Sequence, residues 1–128
     1  ADSLRAVISQ RLIHCVCKQS RREIVPDEAG REALKLPSED TSTTIVEGVP
    51  EACNFQTGYD GRTAIFETMM VGRNLKEAIH RGAASYDIAD AALEDGMISL
   101  EESARRRVLD HTTSLEQLNR TMVDKSLL

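Results

Sequence analysis

Aromatic residues are scarce in this chain: two Phe, two Tyr and no Trp among 128 residues, 3% of the total. A core without large rings must be filled by Leu, Ile, Val, Ala and Met, which favours helices over a sandwich of sheets. Surplus positive charge is missing too. With 16 Lys and Arg against 21 Asp and Glu, the formal net charge is −5. No global cationic field gathers phosphate backbones, so nucleic acid is not an expected partner. The local run Arg105-Arg106-Arg107 reads as part of a solvated helix face, because three consecutive residues fan around a helix. No apolar run approaches the ~20 residues that span a bilayer, so any membrane association is expected to pass through a partner. Cysteine is limited to three, an odd number with two only one residue apart, which does not form a disulfide framework and points to a cytoplasmic setting. A starting Met is absent, and Ala1-Asp2-Ser3-Leu4 enters a helical pattern at once, so the chain reads as cut from a longer one.

Enough aliphatic residues remain for a small core, and their spacing predicts mostly helices. Leu4, Val7, Ile8, Leu12 and Cys15 recur at helical intervals behind Ser3 as a cap. Pro26, Asp27 and Glu28 suit the start of a short helix that runs to Pro37. Ser38 to Thr44 has no periodicity and reads as a loop, with Thr44-Ile45-Val46 as a short strand after it. Turn chemistry at Gly58 and Gly61 leads into an alternating run from Thr63 to Thr68, consistent with a small ribbon. Four short helices are expected after that. Asn74 and Ser85 are expected to cap the first two, with Gly82 and Gly96 closing them. Ser99 with Glu102, and Thr113 with Glu116, have the spacing of capping boxes for the third and fourth. The expected fold is therefore mainly α with a small β-ribbon, its C-terminal subdomain made of short packed helices. Its expected parts are a helix over 1–17, a subdomain with short strands over 18–71 and a helical domain over 72–128.

The stretch "CNFQTGYDGRTAIFE", Cys53 to Glu67, is the most distinctive. As a phosphate cradle it fails: G-x-x-x-x-G-K-[ST] would put its first glycine at Gln56, Arg62 stands in for the lysine, and the following run alternates like a strand instead of opening a helix. A zinc knuckle needs two C-x₂-C pairs, yet Cys17 is followed three residues on by Ser20, and Cys53 is preceded three residues back by Pro50. Cys15 cannot complete the set if the first helix persists, since residues two apart on a helix point to nearly opposite sides. His14, His80 and His111 have no ligand spacing, and Asp87, Asp90, Glu94 and Asp95 read as a solvated acidic face. A turn is the coherent reading, with Gly58 and Gly61 supplying φ > 0, Tyr59 packing, and Arg62 pairing with a carboxylate such as Glu67.

Taken in order, "ISQRLIHCVC" (Ile8 to Cys17), the Cys53 to Glu67 segment with its G-Y-x-G-R-x-x-x-x-E phrase, "GMISLEESARRRVL" and "TTSLEQLNRTM" resemble the C-terminal part of the secretion ATPases of type II secretion and type IV pilus assembly. The resemblance runs from about Val7 to Met122. It implies that Cys17 and Cys53 occupy the first and last positions of the family's tetracysteine zinc module, with Ser20 and Pro50 in the other two and the zinc lost. It also implies that the ATP- and Mg-binding parts lie upstream, so that this portion has no catalytic, cofactor-binding or metal-binding residue of its own. The portion would pack on the nucleotide core and neighbouring subunits of a hexamer, near inner-membrane platform proteins, and help turn hydrolysis into motion. Gln10 and Arg11 are the expected interface residues; Cys53, Gly58, Tyr59, Gly61, Arg62 and Glu67 form the expected structural motif. The alternative is a free-standing helical protein-interaction module.

Overall fold

The computed structural model describes residues 6–126. In chain order the elements are β1 (Ala6–Val16), β2 (Arg21–Ile24), α1 (Glu28–Ala33), β3 (Ile45–Gly48), β4 (Tyr59–Met70), α2 (Arg73–His80), α3 (Ser85–Glu94), α4 (Leu100–Leu109) and α5 (Leu115–Ser126). The expectation of a mainly helical fold is wrong. The protein is 35% helix and 28% strand, with two small antiparallel sheets, a mixed α/β arrangement.

The largest correction is at the start, where the expected helix is the eleven-residue strand β1. Val7, Ile8, Ile13 and Val16 are β-branched and stiff at χ1, so they fit a pleated strand at least as well as a helix. The deciding factor is a partner: β1 pairs with β4 in a two-stranded sheet. Spacing within 17 residues carries no information about a strand that begins at Tyr59. The second sheet pairs β2 with β3 in the register Arg21↔Gly48 to Ile24↔Ile45.

Contacts divide the described residues into two units. One comprises residues 6–11 with Phe66–Leu100. In it α2 and α3 pack through Leu75, Ala78, Ala91 and Ala92, all buried, while Leu93 is exposed. Gly82 and Gly96 follow these helices with φ of +67° and +95°, as their closing role requires. The expected caps differ. Asn74 lies inside α2, whose N-cap is Gly72, and Ser85 lies inside α3, whose N-cap is Ala84. The carboxylate for α2 arrives from a distance: Asp95 accepts the Leu75 N–H at 3.0 Å and the Asn74 side-chain amide at 3.2 Å. Gly72 is small for the same reason, since a Cβ there would meet Asp95 at 2.7 Å.

The other unit comprises Leu12–Ile65 with residues 101–126. Its core holds Ile13, Val16, Leu34, Ile45, Val46, Ile65, Val108 and Leu118. Asp27 caps α1 as expected, accepting the Gly30 N–H at 2.8 Å. At the other end of α1, Arg105 donates to the Ala33 carbonyl at 2.9 Å and is paired with Glu102 at 2.7 Å. Arg105 is therefore buried, at 6% exposure, and not part of a solvated face. A helix C-terminus accumulates partial negative charge on its free carbonyls, which a guanidinium satisfies. The cap of α5 is Ser114, whose Oγ accepts the Gln117 N–H at 3.3 Å. Thr113, the expected cap, is instead fully buried and donates to the His14 carbonyl at 2.6 Å.

Two backbones in this unit run so close that only hydrogen fits between them. A Cβ on Gly48 would lie 2.3 Å from the Gly58 carbonyl oxygen, whereas one on Gly61 would meet nothing within 4 Å. Gly48→Ala is expected to cost about 3 kcal/mol or more of unfolding free energy, because backbone cannot swing aside as a side chain can. Gly61→Ala, at φ +82°, should cost about 1 kcal/mol from the left-handed backbone alone. Urea unfolding of the two variants measures the difference, and equal costs would show that the close approach does not constrain the fold.

Candidate functional site

β1 positions the two residues expected at an interface. Gln10 is exposed on it and Arg11 is half-buried. Successive strand residues point to opposite faces, so the two cannot serve one flat surface together.

The other expected residues gather where β1 ends. From Val16 the chain turns through Cys17 to Ser20 into β2, and after β3 it turns again through Pro50 to Cys53. The Cys17 N–H donates to the Gly58 carbonyl at 2.9 Å, and the Val49 N–H to the Ser20 carbonyl at 3.1 Å. Cys53 folds its own turn, with its N–H shared between the carbonyls of Val49 and Pro50. These bonds bring two loops from distant parts of the sequence side by side. Arg21 fastens the first of these loops to the turn after α4: its guanidinium donates to the carbonyls of His111 at 2.7 Å, Val16 at 2.9 Å and Cys17 at 3.2 Å.

Tyr59 is built into the packing. Its hydroxyl lies 2.7 Å from the Ser114 hydroxyl and its ring centroid 6.0 Å from that of His14, so the start of β4 is tied to the start of α5. Arg62 is exposed, and Glu67 does not serve as the carboxylate for it. The Glu67 Oε2 accepts the Leu100 N–H at 2.9 Å, placing negative charge at the first turn of α4. Gly58 and Gly61 have φ of +84° and +82°, as the turn reading required.

His111 also takes a left-handed conformation, φ +67°, just past the end of α4. Its ring compensates by bonding the Thr44 carbonyl at 2.9 Å through Nε2. Beside it an open cleft of about 900 Å³ is lined by Cys15, Lys18, Asp60 and Arg62, among others.

The thiols behave differently from one another. Cys17 and Cys53 are buried and free. The Ser20 hydroxyl donates to the Cys17 sulfur at 3.2 Å. This bond, then the Cys53 thiol and the backbone amides of Gln19 and Ser20, lowers the Cys17 pKa from 9.0 to about 7. Burial pushes the Cys15 thiol up instead. Cys15 lies on a strand and not a helix, so the helical argument that separated it from Cys17 does not apply. Even so, among the described residues no group of three or more His, Cys, Asp and Glu is placed to hold a metal ion. Zinc wants four donors, usually thiolate or imidazole. Here two thiols face a hydroxyl already engaged with one of them and a proline that offers no side-chain donor. The residues present do not fit the ion.

Sequence reasoning missed Arg21, Ser114, Asp95 and Gly48. Asp95 acts on Leu75, Gly48 on Gly58 and Arg21 on His111, partners that sequence neighbours do not reveal, whereas Ser114, three residues before Gln117, held a local capping signal.

A family model described as type II/IV secretion system protein matches residues 1–120. Type II secretion system protein HxcR of Pseudomonas aeruginosa is 32% identical over 124 residues, covering 97% of this chain and 23% of its own length. Two proteins named type IV pilus assembly ATPase PilB are similar as well. That of Myxococcus xanthus is 34% identical over 91% of this chain, and that of Thermus thermophilus 33% identical over 91%. The chain spans 21% and 13% of those two relatives.

A lowered thiol pKa stabilises the folded state above the unfolded value, and that contribution is lost as pH falls through the folded one. The stability of the protein relative to Ser20→Ala should therefore grow between about pH 7 and pH 9. Urea unfolding of both chains at several pH values checks this, and a gap independent of pH would show that the hydroxyl does not favour the thiolate.

Proposed function

The chain belongs to the family of type II/IV secretion system proteins, and from that premise we propose that it is the C-terminal portion of a secretion or pilus-assembly ATPase. In this reading it packs on the nucleotide-binding core of its parent and on neighbouring subunits of a hexamer. It couples hydrolysis to subunit motion and has no active site of its own, while ATP and Mg are bound by the parent. The parent sits in the cytoplasm against inner-membrane platform proteins. No helix among the described residues is long and apolar enough to cross a membrane, which is compatible with contact through such partners.

The observation that carries the reading is the exposure of β1. Val7, Ile8 and Leu12 are 40%, 66% and 56% exposed on a strand whose partner among the described residues is β4. Within its own unit, Ile8 shares one face of that strand with Gln10. Apolar residues scattered singly need no explanation, but an exposed apolar stretch of strand is a place where further structure adds. Since the relatives are four to eight times longer than the matched region, their own nucleotide core is the fitting occupant, with Gln10 as a polar contact within the strip.

Joining this region to its core supplies the test. Ile8→Glu with Leu12→Glu should lower ATP turnover by at least about tenfold, equivalent to about 1.4 kcal/mol of barrier. The melting temperature of the 128-residue chain should hardly change, because both side chains are already solvated. Undiminished turnover would sink the docking role. ATP hydrolysis by the 128-residue chain alone would sink the claim that it lacks an active site.

A further inference from the structure

The loops Cys17–Ser20 and Pro50–Cys53 lie together as the two halves of a metal knuckle do, yet their donors do not suit a metal. Loops of this kind are normally closed by the ion, because four metal bonds offset the entropy of bringing distant segments together. Here other contacts do that work. The backbone bonds from Cys17 to Gly58 and from Val49 to Ser20 bridge the loops at 2.9 Å and 3.1 Å. The Gly48 and Gly58 backbones are in van der Waals contact. The Ser20 hydroxyl donates to the Cys17 sulfur at 3.2 Å, and the Cys53 thiol donates to the Tyr59 carbonyl at 3.8 Å.

We propose that this knuckle closes without a metal ion, with the Cys17–Gly58 and Val49–Ser20 backbone bonds and the Gly48/Gly58 contact replacing it and the Ser20 hydroxyl holding the Cys17 loop in shape, and that its backbone still has the form a four-thiolate site needs. Ser20 is three residues after Cys17, and the Cys53 N–H reaches the Pro50 carbonyl at 3.3 Å, the spacing and the tight turn through which a C-x₂-C pair aims both sulfurs at one point. Two substitutions, Ser20→Cys and Pro50→Cys, would therefore convert a metal-free knuckle into a zinc site. This inference does not depend on the reading under Proposed function, since its measurements involve neither ATP nor a partner.

The 128-residue chain, refolded with excess zinc sulfate and then desalted, should retain far less than one zinc per chain by mass spectrometry, and a chelator should leave its melting temperature unchanged. Retention of about one zinc per chain, or a lower melting temperature with chelator, would overturn the proposal. Ser20→Ala should melt at a lower temperature than the parent chain with the same negligible zinc content; an unchanged melting temperature would overturn the part given to the hydroxyl. The double variant S20C/P50C should bind about one zinc, take up cobalt(II) with the colour of tetrahedral thiolate ligation, and melt earlier when chelator is added. If circular dichroism shows that variant to be folded and it binds no metal, the retained geometry is refuted. Should it fail to fold with zinc present, the claim that these positions accept thiolates is refuted as well, while the Ser20→Ala and chelator results still decide the claim of metal-free closure.

Discussion

The close approach of Gly48 and Gly58 is the contact on which the surrounding structure depends. It comes from the end of β3 and the residue before β4, and it allows the Gly58 carbonyl to accept the Cys17 N–H at the end of β1. Backbone groups buried away from water need partners, and here one residue's carbonyl satisfies a donor some forty positions earlier. With that point closed, Arg21 can reach three carbonyls, the Cys17 sulfur meets the Ser20 hydroxyl, and Tyr59 arrives beside Ser114.

A second theme is capping by distant residues. Among the described residues no helix exceeds twelve residues, too short to hold alone in water. Three helix ends are closed by side chains from outside the helix: Asp95 serves the start of α2, Glu67 the start of α4, and Arg105 the end of α1. Each bond stabilises a helix terminus and at the same time fixes the position of the element that supplies it. A helix so capped is less an independent unit than a component of its neighbourhood, which suits a region whose proposed task is to transmit motion.

Around the thiol pair, two loops are held side by side by contacts other than metal bonds. Two of the four expected donor positions hold Ser20 and Pro50, yet the loops remain adjacent because backbone bonds and glycine contact hold them. Among the described residues the chemistry gathered around these loops is that of positioning. Arg21 spends its polar groups on backbone carbonyls, Ser20 on the Cys17 sulfur and Tyr59 on the Ser114 hydroxyl, and this is compatible with the positioning role proposed above.

Much was legible in local sequence. Asp27 announced the start of α1, Gly82 and Gly96 marked where α2 and α3 stop, and four helices after residue 72 appear close to where spacing put them. The phrases around Cys17, Gly58 and Leu100 pointed to the family that the comparison then showed. These features are local: a cap acts over three residues and a turn over four, so neighbours in sequence suffice to state them. What only the tertiary structure decided is non-local. β1 is a strand because β4 offers a ladder, Arg105 is buried because the end of α1 lies over it, and Thr113 passes its capping place to Ser114 because the His14 carbonyl claims its hydroxyl. In each case two states had similar local energies, and a partner between about 40 and 100 residues away, invisible to periodicity, tipped the balance.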